Sequence, residues 1–420
     1  MEMTKIRINS KRLEATIHEL GKIGLNSKGG LDRTTFTKSE LAAREWLKGK
    51  LKELKLATKV DPAANIWAKR TGNEDNLPVI SFGSHIDTVP NGGKYDGALG
   101  VLIALEIMTT LEENGIETRH PLELVSFSAE EPNPFGLSTF GSRAVTNKLR
   151  KEHIVDVKNS EGQLLTDALT IAGGSFNAFE EVVRSPNEFS AFLEVHIEQG
   201  KRLLNQSIPI GIVTAITGIY REVITVHGEA NHAGTTLMGD RKDALTATSE
   251  LILALEKACK QHPSNEVVGT IGKMNVSPGA ANIIPEEVEL TLEIRGKTRE
   301  DIREVIAELE TSIKTICNTR SIKLDRNVIL DQDPAPMDET IINAMKQQAT
   351  TLEYSSCLLG SMAGHDATHM ASITKSGMLF VPSIDGKSHC PEEESRIEDI
   401  DKVANVLLHT ILQLDEDLDN

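Results

Sequence analysis

Histidines and carboxylates recur in five short segments of this chain, and side chains of these types are suited to holding divalent metal ions. The segments are Gly83-Ser84-His85-Ile86-Asp87, Gly93-Lys94-Tyr95-Asp96-Gly97, Ala129-Glu130-Glu131-Pro132, Glu194-Val195-His196-Ile197-Glu198-Gln199-Gly200 and Lys387-Ser388-His389-Cys390-Pro391. Each is expected where a strand runs out, and the first, third and fourth follow apolar, β-rich runs: Leu77–Phe82, Leu122–Phe127 and Ala191–Val195. In open α/β sheets, ligands bind in the crevice beyond the carboxyl ends of the strands. Metal ligands gathered there predict hydrolytic chemistry.

The spacing assigns roles. Asp87 lies two residues after His85, so along an extended chain it projects to the same side and can fix the imidazole's tautomer. Asp96, expected to open a helix, can hold two cations with its two oxygens. Glu131 and His389 then complete one ion's shell, and His85 with His196 the other. Two carboxylates and three imidazoles suit zinc, manganese, cobalt or nickel. Glu130 is left as the base: coordination lowers the pKa of bound water toward about 7, and a neighbouring carboxylate can move its proton to a leaving nitrogen. Any one of these elements alone is more often structural; the joint occurrence carries the reading. His18, His120, His153, His227, His262 and His369 lack such context and are read as structural. Cys390, beside His389, is read as a small buried neighbour rather than a ligand or nucleophile.

The elements that must position these residues follow from periodicity. Helices are expected over about Ser10–Lys22, after the capping-box spacing Thr37-Lys38-Ser39-Glu40, and over Gly97–Asn114. Strand-like segments flank a turn at residues 72–76. Such alternation predicts an α/β sheet covered on both faces. From Ile210 to Val226 the chain is rich in β-branched residues. Helices at 243–260 and 299–318 then alternate with strands at 267–274, 288–295 and 322–330. This predicts a smaller α+β sandwich at 210–330, inserted into a catalytic domain formed by 1–209 and 331–420. Hinges are expected near Pro209-Ile210-Gly211 and residues 331–336.

Composition narrows the classes. The 420 residues are 39% hydrophobic and 25% charged, which predicts a globular protein of more than one domain. The net charge of −17 argues against nucleic acid or an anionic membrane as partner. The four cysteines form no C-x-x-C pair, no run approaches the ~20 apolar residues of a membrane span, and Met1–Arg7 carries charge where a leader would be apolar. A cytoplasmic location is expected.

These segments, with Asn231-His232-Ala233-Gly234-Thr235-Thr236 and Gly364-His365-Asp366-Ala367, make the chain similar to the hydantoinase/carbamoylase branch of the aminoacylase/carboxypeptidase-type binuclear metallohydrolases. The His-Ile-Glu-Gln-Gly and Asn-His-Ala-Gly-Thr-Thr segments are specific to that branch; the wider clan more often has a carboxylate where His196 stands. The resemblance implies a mixed-sheet catalytic domain and an inserted four-stranded sheet with two helices, through which two copies form a homodimer. It implies two divalent ions, one held by His85, Asp96 and His196, the other by Asp96, Glu131 and His389. Glu130 matches the general base, and Asp87 the group that orients His85. Gln199 matches a polar group beside the ureido end of the substrate. His232, Asn282 and Arg295 match substrate-binding positions, with Arg221, Gly364 and His365 as further ones.

Chemistry is compatible with those roles. A guanidinium is the best bidentate partner for a carboxylate, although Arg295 could equally sit in a surface ion pair. His232 could stabilise an oxyanion or be an ordinary loop histidine, and Asn282 could instead turn the chain before Pro285. With His232 and Arg295 on the insert and the metals on the main domain, domain closure is expected to complete the site. The expected function is a metal-dependent amidohydrolase acting on the ureido C–N bond of an N-carbamoyl-L-amino acid or allantoate. Metal-bound hydroxide is the expected nucleophile, and ammonia and carbon dioxide leave. An aminoacylase or dipeptidase is the alternative on the same scaffold. A non-catalytic small-molecule binding protein would be marked by loss of the base or a ligand, and none is missing.

Overall fold

A computed structural model of the chain describes residues 6–74 and 76–418. The charged start Met1–Lys5, on which the reading of an absent leader rests, and Asp75 of the expected turn lie outside the described residues. The strands are β1 (Ala57–Val60), β2 (Ile66–Arg70), β3 (Val79–His85), β4 (Leu122–Phe127), β5 (Phe189–Ile197), β6 (Ile210–Ile216), β7 (Gly218–His227), β8 (Val268–Ser277), β9 (Glu287–Gly296), β10 (Lys323–Gln332), β11 (Ala335–Pro336), β12 (Ser356–Ser361) and β13 (Ser376–Val381). Two compact units divide the chain. One holds the residues up to Thr214, Pro336–Leu359 and those from His365 onward; the other holds Ala215–Ala335 and Gly360–Gly364.

The first unit is built on a mixed sheet of order β1-β2-β4-β3-β5-β13-β6-β11, with β12 also pairing β6. Its four central strands, β4, β3, β5 and β13, run parallel to one another, and the strands flanking them, β2 and β6, run antiparallel. Parallel strands are covered on both faces and therefore read as apolar runs rather than alternating ones. Every residue of β3 and β4 is buried, and all of β5 except Ser190. Because the four strands share a direction, their carboxyl ends lie along one edge. His85 is in register with Phe127, and His196 with Phe380.

The helix after β3, Ala98–Glu113, is buried almost all round. Its first turn is pressed onto β5, so closely that a Cβ at Gly100 would meet the Val195 carbonyl oxygen at 2.3 Å. Helices Ser10–Leu20, Lys38–Glu53 and Ile397–Asp417 join the same core. The expected capping box at Thr37 is half formed. Its hydroxyl accepts the Glu40 N–H at 3.4 Å, but the Glu40 carboxylate pairs with Arg44 (3.3 Å) instead of returning to the cap.

The second unit is an antiparallel sheet of order β10-β7-β9-β8. Helices Ala244–Gln261 and Arg299–Arg320 cover one face, where Leu251, Leu255, Val305 and Leu309 pack with Ile224, Leu290 and Leu292. The second helix opens on a complete capping box: Thr298 Oγ1 accepts the Asp301 N–H (3.1 Å), and the Asp301 carboxylate accepts the Thr298 N–H (3.3 Å).

The structure moves the domain boundary expected at 209/210. The β-branched run 210–226 is two strands, broken at Thr217. The first of them, β6, pairs with β13 in the large sheet, Gly211 opposite Phe380 and Ile212 opposite Leu379. Gly211, Ile212 and Val213 are thereby part of the large sheet. The return boundary falls at 335/336, five residues beyond the expected one.

Candidate metal centre

Three of the five segments lie at the strand ends where they were expected. His85 closes β3, Glu130 and Glu131 follow β4 by three and four residues, and His196 is the penultimate residue of β5. The other two do not. Asp96 sits two residues before a helix that starts at Ala98, and His389 is in the loop after β13. Gly97, between Asp96 and that helix, has φ +61°, and a Cβ there would strike His85 Nε2 at 2.1 Å. A glycine is therefore required for the carboxylate and the imidazole to meet.

Asp96 is the centre of the cluster. Its Oδ1 lies 3.1 Å from His196 Nε2 and 3.8 Å from His85 Nε2, while its Oδ2 lies 3.4 Å from His389 Nε2. Glu131 Oε1 is 3.3 Å from His389 Nε2, and Glu130 Oε2 is 3.6 Å from His85 Nε2. Ligand atoms of His85, Asp96 and His196 fall within 4.8 Å of one another, as do those of Asp96, Glu131 and His389, and those of His85, Glu130 and Glu131. Ligands about 2.0–2.2 Å from a tetrahedral ion lie roughly 3.3–3.6 Å apart, so these separations fit divalent ions of that size. Glu131 Oε1 is buried without a hydrogen bond of good geometry, as a coordinating oxygen would be.

The imidazoles are turned for ligation. His85 Nδ1 faces the Asp87 carbonyl at 3.1 Å, and His196 Nδ1 faces the Ile197 carbonyl at 2.9 Å. With each Nδ1–H donating to a carbonyl, each Nε2 faces the side of the cluster where Asp96 lies, and His196 Nε2 also accepts the Gly97 N–H at 3.2 Å. Burial opposes the charged form of both rings, but the surrounding carboxylates outweigh it and raise both above their ordinary values. His389, whose Nε2 lies beside the carboxylates of Asp96 and Glu131, is pushed up to about 11. Imidazoles so placed hold either a proton or, in exchange for it, a metal ion. Burial also opposes the charge on Asp96, yet His196 and His389 keep that carboxyl well below the usual range. Glu130 goes the other way: burial and the charges of Glu131, Asp366 and Asp87 push it well up, against the pull of His85.

Asp87 does more than was expected of it. Its Oδ1 stands 3.4 Å from His85 Nδ1, farther than the Asp87 main-chain oxygen. The same carboxylate accepts the N–H of Glu130 (3.2 Å) and of Glu131 (3.1 Å), and Thr35 Oγ1 donates to it at 3.2 Å. It ties the end of β3 to the end of β4. Gln199, with φ +56°, donates Nε2 to Asp96 Oδ2 at 2.7 Å. His365 is enclosed, only 1% exposed, with its ring 4.5 Å from that of His196 and 5.7 Å from Phe380. It packs edge-on against His196.

The remaining expected residues belong to the second unit and form two pairs there. His232 and Asn282 are neighbours: His232 bridges Ile283, and the Ala233 N–H donates to the Asn282 carbonyl at 3.0 Å. The Gly234 N–H donates to His232 Nδ1 at 2.9 Å, which leaves the proton on Nε2 of the exposed ring. Arg221 and Arg295 share one carboxylate, Arg221 Nε donating to Glu293 Oε2 (2.9 Å) and Arg295 Nε to Oε1 (2.7 Å). Arg295 Nη1 also donates to the Met362 carbonyl at 3.0 Å. Gly364 lies in the segment 360–364 that groups with this unit.

Sequence reasoning passed over Glu194, Ser388 and Glu393. Glu393 Oε1 accepts the N–H groups of Tyr95 (2.8 Å) and Asp96 (3.0 Å). Ser388 Oγ donates to Asp96 Oδ2 at 2.5 Å and to Glu393 Oε2 at 3.2 Å. Glu194, fully buried, accepts from Ser84 Oγ (2.7 Å) and from the Ala367 N–H (2.9 Å). Glu194 did carry a signal, as a lone carboxylate in an apolar strand two residues before His196.

Comparison with known proteins agrees with this architecture. The family described as Peptidase family M20/M25/M40 matches residues 81–413, and the chain belongs to it. It is a hydrolase of the hydantoinase/carbamoylase type within that metal-dependent family. An N-carbamoyl-L-amino acid amidohydrolase of Geobacillus stearothermophilus is 35% identical over 97% of this chain and 99% of its own length. An allantoate amidohydrolase of Bacillus subtilis is 33% identical over 99% of this chain and 100% of its own. The crystal structure of a hydantoinase/carbamoylase family amidase from Burkholderia multivorans superimposes with a TM-score of 0.90 at 32% identity, covering 97% of this chain and 98% of that one.

Proposed function

We propose that this chain hydrolyses the ureido C–N bond of an N-carbamoyl-L-amino acid or of allantoate, releasing ammonia, carbon dioxide and the amine-bearing acid. The observation that carries the reading is Asp96, which turns one oxygen to His85 and His196 and the other to His389, with Glu130 alongside. The full-length relatives named for these two substrates support it. His85, Asp96 and His196 would hold one divalent ion, and Asp96, Glu131 and His389 a second. Such ions supply Lewis acidity and a water nucleophile at neutral pH.

The chain's own groups do the rest. Glu130, raised by burial, takes the proton of the attacking water and gives it to the leaving nitrogen. Asp87 keeps Glu130 and Glu131 in place through their main-chain N–H groups. Gln199 and Ser388 orient Asp96. In the second unit, His232 offers an Nε2–H suited to an oxyanion. Arg295, with Asn282, is assigned to the substrate's carboxylate.

The test is ammonia release from allantoate, N-carbamoyl-L-amino acids and N-carbamoyl-β-alanine, with acetylated amino acids followed by released amine, after loading with zinc, manganese, cobalt or nickel. Turnover of a ureido acid is expected. Cleavage of the acetylated compounds alone would replace this reading by an aminoacylase.

A homodimer through the second unit belongs to the same proposal. Among the described residues β8 is an edge strand, paired with β9 alone. It exposes Val268 and Met274, and Leu253 is exposed on the helix packed beside it. An open apolar edge pairs readily with a second copy by a two-fold axis. Sedimentation velocity is expected to give twice the chain mass, and Met274→Lys to shift it to one; a wild-type monomer would remove the proposal. No helix among the described residues is long and apolar enough to cross a membrane. The four cysteines are all unpaired, which supports a reducing, cytoplasmic setting.

A further inference from the structure

Behind the segment that carries Glu130 lies a group of basic side chains without an acidic counterpart. The chain from Ser128 to Gly141 folds back on itself: the N–H groups of Thr139, Phe140 and Gly141 donate to the carbonyls of Glu130 (2.7 Å), Ala129 (3.0 Å) and Ser128 (2.9 Å). The short helix Phe140–Val145 follows, and its Arg143 carbonyl receives the N–H groups of Lys148 (2.8 Å) and Leu149 (3.2 Å). That return places Lys148 beside Arg143. His369, buried, comes from the helix Ala367–Met370; its Nδ1 is 3.5 Å from Lys148 Nζ and its Nε2 is 2.9 Å from Thr139 Oγ1.

His369 is satisfied as a neutral ring, accepting from Lys148 and donating to Thr139. The two cations are not matched. Arg143, half-buried, makes one long hydrogen bond, Nη1 to the Ser138 carbonyl at 3.4 Å. Neither Arg143 nor Lys148 has a carboxylate partner among the described residues. Burial disfavours the charge on both, and Arg143 further disfavours that on Lys148. In a chain with 62 acidic residues against 45 basic ones, an acid-free basic pair needs an explanation. A half-buried guanidinium and a neighbouring, more exposed ammonium that repel each other are stabilised by an anion between them, and a guanidinium presents a fork that fits two oxygens.

We propose that Arg143 and Lys148 form a binding site for a small oxyanion, a carboxylate or phosphate group, on the loop that supports Glu130. The anion comes either as a second carboxylate on a dianionic substrate or as free inorganic phosphate. The site itself does not depend on the reaction proposed above.

The first measurement is thermal unfolding of the metal-loaded protein at constant ionic strength, with phosphate or glutarate replacing chloride. Both anions are expected to raise the Tm of the wild type in a saturable way. Arg143→Gln and Lys148→Gln should each weaken that binding about tenfold or more. Lys148→Glu, which supplies its own carboxylate to Arg143, should abolish the response while unfolding no earlier than wild type without anion. No anion-specific rise in the wild type, or the same rise in all three variants, overturns the proposal. The second measurement separates the sources by comparing KM for N-carbamoyl-L-glutamate with KM for N-carbamoyl-L-alanine. A rise of about tenfold in Arg143→Gln for the first substrate alone identifies the anion as the substrate's own carboxylate. A lost phosphate response with both KM values unchanged identifies free phosphate. If neither compound is turned over, the N-carbamoyl amino acid form of the proposed reaction fails, and the unfolding experiment still decides the site.

Discussion

Replacing Glu130 with glutamine is expected to lower kcat by about 10²–10⁴-fold, the range of a lost general acid–base, while the metal content stays that of the wild type. The side chains are nearly isosteric, and the Glu130 main-chain N–H would still donate to Asp87 Oδ1. What disappears is a carboxylate that burial and neighbouring charges have made more basic than a free one, and so better matched to proton transfer near neutral pH. Metal content by mass spectrometry and turnover of the best substrate would be measured on the same preparation. Retained turnover would sink the assignment of the base. Loss of one ion together with activity would mean that Glu130 is a ligand, as the grouping of His85, Glu130 and Glu131 atoms permits.

Asp96→Ala should have the larger effect on metal. Each of the two ligand sets falls from three protein groups to two, because each takes one oxygen of this carboxylate. Affinity at both positions should drop beyond the roughly 10–100-fold typical of losing a supporting partner. Fewer than one ion per chain should survive desalting, and turnover should be undetectable. His389→Ala is the control, since His389 belongs to only one set and should leave one ion in place. If Asp96→Ala kept one tightly held ion, the carboxylate would serve a single position. Loss of fold is separated from loss of metal by circular dichroism, and the removed side chain leaves His85 and His196, ring centroids 6.0 Å apart, at a buried sheet edge.

The strand-end ligands were legible because parallel strands covered on both faces are unbroken apolar runs, and a histidine or carboxylate ending such a run is conspicuous. His85, Glu130, Glu131 and His196 are all of that kind. Asp96 and His389 sit in loops, and their reading leaned on the similarity of their glycine- and proline-flanked segments to a known family. Glu393 was illegible. It is the middle of three consecutive glutamates, with Glu392 and Glu394 exposed, and only its bonds to Tyr95 and Asp96 about 300 residues earlier in the chain bury it. The boundary near 210 failed for a related reason: β-branched residues record that a strand forms, not which sheet it joins. The enclosure of His365 was not legible, because a histidine in a glycine turn gives no sign of whether its ring faces in or out.

The two ligand sets also differ in their access to solvent. The His85 and His196 side chains are 1% and 2% exposed, whereas His389 is 46% exposed. The inner position has its two imidazoles buried at the ends of β3 and β5, so an ion there would be the slower to leave. The outer position has one ligand on a loop that water already reaches. Exchange kinetics should therefore be biphasic: a chelator strips the outer ion first, and reconstitution with mixed metals yields a hybrid whose inner ion records the order of loading.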